Sequence, residues 1–308
     1  MEKYGIDLDD YTAGAIGSLC RAGKEYWLLG HFGAALLSGI RLLENDSLPP
    51  PAARALAERL RKTVAADPAR YEPAESNAAV DPSVACMPIT ERIESHIGGL
   101  HESGHGTIFA VSALRVFFER PEFASPSNVD SICGLIESAV DAARDRYFGL
   151  DAKSEIAAAA KKASSSAQTP WPDLIVAVAK EFDCLYPDAE IDGHRYFFTG
   201  EKYHSLTHLH ALIQLDKLGY TSLAQNGVPL IRAQIRLTRQ QPPGDPVPRK
   251  LEPGSAEVAD YWKITGDPWH DIKFAEAVVD LLPLVPADRR SGVAHLLAKA
   301  FGALSVGH

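Results

Sequence analysis

The feature that most constrains this chain is the spacing of its apolar residues, which recur at three and four positions over most of its length. "YWLLGHFGAALLSGIRLL", "PPAARALAERLRKTV", "GTIFAVSALRVFFER", "NVDSICGLIESAVDAARDRYFG", "DLIVAVAKEFDCL", "HSLTHLHALIQLDKLG" and "DRRSGVAHLLAKAFG" all carry the pattern, and several end in a Gly that suits a helix C-terminus. Alternation at period two is scarce. "RYFFTG" and "IRAQIRLT" are the ambiguous runs, and the second reads equally well as helix. The expectation is an all-α protein, a multi-helix bundle-like single unit with long Pro-rich connectors at 71–88 and 240–254. The stretch "AAAAKKASSSAQTPWP" (157–172) reads as a fraying helix and a flexible link, which would set helical halves at 1–165 and 170–308.

Composition narrows the classes. With 308 residues and 46% hydrophobic content, the chain is long enough to fill a core. A formal net charge of -9 argues against nucleic acid as a partner, whose footprint is a clustered excess of Lys and Arg. No apolar stretch reaches the roughly 18–20 residues of a membrane span, and "MEKYGIDLDDYT" lacks the basic start and apolar segment of a secretory signal, so a cytoplasmic protein is expected. The four cysteines, Cys20, Cys86, Cys133 and Cys184, show no C-x-x-C spacing and read as buried free thiols. Oligomeric state is not legible.

Histidine placement is the chemical signal. His31, His105, His204 and His270 each stand at or near the head of a long apolar helical run, at separations of 74, 99 and 66 residues that exclude a fixed-period solenoid. A single imidazole of this kind is ordinarily a core residue bonded to a carbonyl. Four of them, on four core helices, raise the alternative of one metal site built from inward-facing side chains. In "DPWHDIKFAEAVVDLL", Asp267 suits a cap, Pro268 a first helical position, and His270 and Lys273 share a face one turn apart. Lys273 also falls on a polar stripe with Glu276 and Asp280, which would make it a solvated partner of Glu276 worth a few tenths of a kcal/mol.

Two rival motifs overlap these residues. "HESGH" (101–105) matches H-E-x-x-H, in which two histidines hold zinc and Glu102 would act as base of a zinc-dependent hydrolase. Gly98, Gly99, Gly104 and Gly106 weaken the continuous helix that motif needs, and no third ligand follows at the expected spacing. "PWHD" raises a His-Asp phosphohydrolase, but in "HSLTHLHAL" His204 and His208 share a face while His210 points elsewhere, so the further ligands are wanting. Either His204 or His208 can serve a common site. His96, His194, His295 and His308 read as surface or capping residues. A metal-free helical binding protein is the third class that the pattern permits.

Four patches carry a family resemblance: "GHFGAALLSGIRLL", "SGHGTIFAVSALRVF", "YHSLTHLHAL" and "HDIKFAEA", together spanning residues 30 to 282. The chain resembles a short bacterial member of the questin oxidase family, through that family's His-led small-residue helix, His-Gly-x-Ile helix, His-x-x-Thr segment and His-x-x-Lys helix. It departs in having Gly30 where Asn is expected, and in lacking Pro-Met after the first His.

The resemblance implies an oxygenase of polycyclic aromatic or quinone-type small molecules that uses dioxygen and non-haem iron. It implies His31, His105, His204 and His270 as imidazole ligands and Lys273, after carboxylation, as a carbamate ligand. Imidazole suits iron as it suits zinc, and a carbamate adds an anionic oxygen. Trp262, Trp269, Phe274, Tyr203 and Phe109 neighbour these ligands in sequence and are candidate pocket residues, with core packing the alternative fate. The resemblance names no electron donor for this chain, NADPH included.

Overall fold

The computed structural model describes the chain except residues 75, 77–80, 100, 142–157, 159–161, 163–168, 187–188, 192–193, 197, 240–243, 245–246, 248–251, 264–268 and 306–308. The described chain is all-α, with two short antiparallel hairpins as its strands. Strands β1 (Glu2–Lys3) and β2 (Ile6–Asp7) pair around Tyr4 and Gly5, both at positive φ, as a two-residue hairpin turn requires. Asp7 then caps α1 (Leu8–Lys24) by accepting from the backbone of Asp9. The first half continues with α2 (Gly30–Glu44), α3 (Pro50–Ala66), α4 (Pro82–Ala85), α5 (Met87–His96), α6 (His105–Glu119) and α7 (Pro126–Asp141). After the undescribed stretch come α8 (Trp171–Ala179), strands β3 (Ala189–Ile191) and β4 (His194–Tyr196), and α9 (Phe198–Lys217). The chain ends with α10 (Thr221–Thr238), α11 (His270–Leu281) and α12 (Ala287–Ser305).

Both ambiguous runs are resolved by this order. "RYFFTG" ends β4 and begins α9, whereas "IRAQIRLT" is the last part of α10. The 71–88 connector holds α4 and the start of α5, so it is less irregular than its prolines predict. Helix α1 escapes the apolar pattern because glycines interrupt it. They are there for contact, since a Cβ at Gly17 would lie 2.0 Å from the Glu72 carbonyl oxygen and one at Gly23 equally close to that of Ser131. Most of the link expected at 157–172 lies outside the described residues, as does most of 240–254.

Packing explains where a site can form. Helix α1 lies against α2 and α7, and α2, α6, α9 and α11 close into a ring in which each touches the next: α2 with α6, α6 with α9, α9 with α11, and α11 with α2. Their apolar faces belong to a continuous buried core running from Ile6 to Leu304. Arg59 of α3 pins the first turn of α11 through an ion pair of 2.6 Å to buried Asp271. None of the described helices is long and apolar enough to cross a membrane. The cysteines are free thiols, three buried and Cys184 half-buried.

Candidate metal centre

Each helix of the closed ring delivers one imidazole to a common point. His31 is the second residue of α2, His105 and His270 open α6 and α11, and His204 lies two turns into α9. Side chains lean toward the N-terminus of their helix, so three of the four rings project past a helix end into the space the ends enclose. Adjacent ring centroids lie 4.6 Å apart for His31 and His105, 4.4 Å for His105 and His204, 5.0 Å for His204 and His270, and 4.8 Å for His270 and His31.

Three of the four imidazoles are at mutual ligand spacing, and the fourth, His204, reaches them through His270. Ligand atoms of His31, His105 and His270 all fall within 4.8 Å of one another, and Nε2 of His204 is 3.0 Å from Nε2 of His270. Nitrogens each about 2.1 Å from one ion stand about 3.0 Å apart at right angles and about 4.2 Å when opposed. His31 and His105 are buried, and His204 and His270 are half-buried, so one side of the cluster faces outward. Burial, then the neighbouring Lys273 and the three other imidazoles, push the His31 pKa well below its ordinary value, so this ring is neutral at pH 7 with a lone pair to give. Three helix N-termini also converge here and favour negative charge, so a cation would need anionic company.

Lys273 joins the cluster. Its Nζ is 2.7 Å from Nδ1 of His31 and 5.6 Å from the centre of the Phe109 ring, and the residue is 4% exposed. The reading of Lys273 as a solvated surface partner of Glu276 is therefore wrong. The polar stripe of α11 faces a cavity of about 20 Å³, room for a single water, lined by Lys273, Glu276, His210, Gln214, Arg115 and Ser38 among others. Burial alone would raise the Glu276 carboxyl, but Arg115, His210 and Arg41 hold it down to about 2. His210, Glu276 and Asp280 form a second group with ligand spacing, yet Arg115 sits 2.6 Å from Glu276 and 3.7 Å from Asp280, so their charge already has partners.

Other expected residues divide. His208 does not reach the cluster: its Nδ1 is 3.0 Å from Gln234 Oε1, and it lines a separate small cavity with His96 and His101. The sequence leaves His204 and His208 open; the fold brings only His204 to the other three. "HESGH" is not one helix. His101–Gly104 is a 3-10 turn, with Ser103 and Gly104 at φ of 59° and 87°, so His101 lies edge-on to His96 while His105 alone enters the cluster. The side chain of Glu102 lies outside the described set, as do Asp267 and Pro268, and α11 begins at His270.

Of the candidate pocket aromatics, Phe109 packs on His31 and His105, whereas Trp262 and Tyr203 spend their polar atoms on the carbonyls of Ala256 and Ala300 in the core. Phe274 packs between Phe182, Tyr203 and Phe301, and Trp269 lies on Phe32. Sequence reasoning missed Trp27, whose ring is 5.1 Å from His105 and which only its place four residues before His31 hints at. It also missed Glu201, one turn before His204 on the same face. Gly30 has a steric reason, because a Cβ there would lie 2.7 Å from Cδ2 of Phe109. No family model, curated protein or solved structure matches the chain.

Proposed function

We propose that this chain is a non-haem iron oxidoreductase that brings dioxygen to a polycyclic aromatic or quinone-type small molecule. The observation that carries the reading is the closed set of four imidazoles on four mutually packed helices, with Nε2 of His204 and His270 at the 3.0 Å spacing of neighbouring ligands on one ion. The neutral state of His31, fixed by burial and by its neighbours, supports it. The resemblance to the questin oxidase family supplies the choice of iron and the substrate class.

His31, His105, His204 and His270 would hold the metal, and Lys273 would complete the set. After loss of a proton from Nζ, the amine would add to the carbon of carbon dioxide: an N–C bond forms, one C=O π pair moves to oxygen, an N–H proton is released, and the resulting carbamate would offer an anionic oxygen. That anion suits a point on which three helix N-termini converge. Phe109 and Trp27 wall the inner side with apolar surface and exclude water from it, leaving the half-buried His204 and His270 side for dioxygen and substrate. Bound iron supplies the one-electron chemistry that lets dioxygen react with an electron-rich ring.

Elemental analysis of protein purified from iron-supplemented cells tests the reading, together with dioxygen uptake in the presence of a hydroxyanthraquinone. Near-stoichiometric iron and substrate-dependent uptake are expected. Metal-free protein, or zinc with no uptake, would overturn it.

A further inference from the structure

Glu201 is 1% exposed, a burial that costs a carboxyl group heavily unless its oxygens are engaged. One oxygen is: Ser103 donates its hydroxyl to Oε1. The same Oε1 lies 3.7 Å from Nδ1 of His204, one turn along α9. Among the described residues, Glu201 Oε2 and His204 Nδ1 have no hydrogen-bond partner. The His204 ring is thus placed between two demands, with Nε2 directed at His270 and Nδ1 directed at a carboxyl group.

We propose that Glu201 is a positioning residue that holds His204 in the tautomer with its proton on Nδ1, leaving Nε2 free to bind the metal. This rests on the metal reading given above. Metal-bound imidazoles characteristically donate their other N–H to a carboxylate, which fixes the ring and raises its basicity, and such contacts tighten when the metal is present. Glu201 stands one helical turn from His204, near a point on which three helix N-termini converge, a setting that favours a carboxylate.

A second, independent arrangement serves the same contact. Ser103 is held at a φ of 59°, which a non-glycine residue adopts only under constraint. The constraint is visible: Gln234 Nε2 donates to the Ser103 carbonyl at 3.2 Å, and Gln234 Oε1 is fixed 3.0 Å from His208 Nδ1. Gly104 follows at a φ of 87° where a Cβ would lie 2.6 Å from the His208 ring. The turn in "HESGH" therefore aims the Ser103 hydroxyl at Glu201 and starts α6 at His105, which gives the segment a role without a zinc-protease helix.

The test is a titration of metal-free protein with Co²⁺ in the absence of dioxygen, followed by visible absorption and by hyperfine-shifted proton NMR. Glu201→Gln should weaken Co²⁺ binding by about 10–100-fold and shift or remove the exchangeable His204 Nδ1–H resonance. Ser103→Ala should give a smaller loss in the same direction. The metal-free Glu201→Gln protein should melt at or above the wild-type temperature, since a buried charge has been removed. A metal-free variant that melts lower yet binds Co²⁺ within about twofold of wild type would overturn the proposal in favour of a structural role. If Glu201→Gln does not fold, Glu201→Asp takes its place, and wild-type affinity in that variant and in Ser103→Ala overturns it equally. Wild-type protein that binds no Co²⁺ removes the metal reading and this proposal together. Wild-type binding with an unaffected Glu201→Gln removes this proposal alone.

Discussion

His204 and His270 come from helices 66 residues apart in sequence, and their Nε2 atoms meet at 3.0 Å. A shared proton would satisfy that pair alone. It would leave unexplained why His31 and His105, on two further helices, close the ring with centroids 4.4–4.8 Å from their neighbours. A shared ion would account for all four, with His204 drawn in toward the three whose ligand atoms already lie within 4.8 Å of one another, and on that account the rings are interchangeable in kind but not in loss.

Removing any member of the set should therefore cost metal, while histidines outside it should not. His204→Ala and His270→Ala should each lower bound metal at least about tenfold under fixed loading, a loss of roughly 1.4 kcal/mol or more in affinity. His208→Asn, which keeps a polar partner for Gln234, should retain it, as should Glu102→Gln. Metal content by mass spectrometry decides. Loss on changing His208 with retention on changing His204 would reverse the assignment.

Lys273 gives a sharper contrast because a second lysine serves as its control. Lys273→Ala should lower bound iron and abolish turnover, whereas Lys217→Ala, at an exposed position on α9, should do neither. In protein equilibrated with ¹³C-bicarbonate, a carbamate carbon resonance should appear in wild type and vanish in Lys273→Ala. Full iron content in Lys273→Ala would confine the lysine to electrostatics and packing around His31.

The helices were legible where one face is apolar over three or more turns, as in "GTIFAVSALRVFFER", because burial of that face is what holds the helix. Helix α1 was not, because Gly17 and Gly23 dilute its pattern and the reason for them, carbonyl contacts from Glu72 and Ser131, lies in chain segments distant in sequence. The four histidines and Lys273 could be nominated from their place at helix heads and from the family resemblance. Their convergence depends on which helices neighbour which, and local periodicity does not encode that. Glu201 was invisible for a different reason. A Glu one turn before a His reads as an ordinary helix pair until the fold shows both residues turned inward.

Acid should destabilise the metal-free protein over a window set by its buried imidazoles. Burial, only partly offset by the Gln234 contact and by Glu201, lowers the His208 pKa from 6.5 to about 4. The unfolded chain then binds the proton more readily than the folded one. The group's contribution is complete above about 6.5 and is lost as pH falls toward 4, by roughly 3 kcal/mol at most. The His31 shift has the same sign. Glu276, held down to about 2, loses its contribution only below its ordinary 4.5, so the interval from 6.5 to 4.5 reports the histidines. Urea unfolding across that interval should show stability falling with pH, with a shallower fall in His208→Asn. A flat wild-type profile would refute the burial argument.

Gly30 and Phe109 should prove energetically coupled. Gly30 has a φ of -58°, open to any residue, so the demand for glycine is purely steric: a Cβ would lie 2.7 and 2.8 Å from Cδ2 and Cε2 of a fully buried ring. That ring packs edge-on against His31 with centroids 5.2 Å apart, so pushing it outward disturbs a candidate ligand. Gly30→Asn, the residue that the family resemblance would place there, should cost about 1–3 kcal/mol through overpacking and weaken metal binding as well. Phe109→Ala should cost about 3–5 kcal/mol by opening a cavity. Because that cavity lies where the new side chain must go, the double variant should be more stable than the two losses added together, by about 0.5–3 kcal/mol. Denaturant midpoints of the four proteins measure the coupling directly. Strict additivity would mean that Gly30 is required by something other than the Phe109 ring.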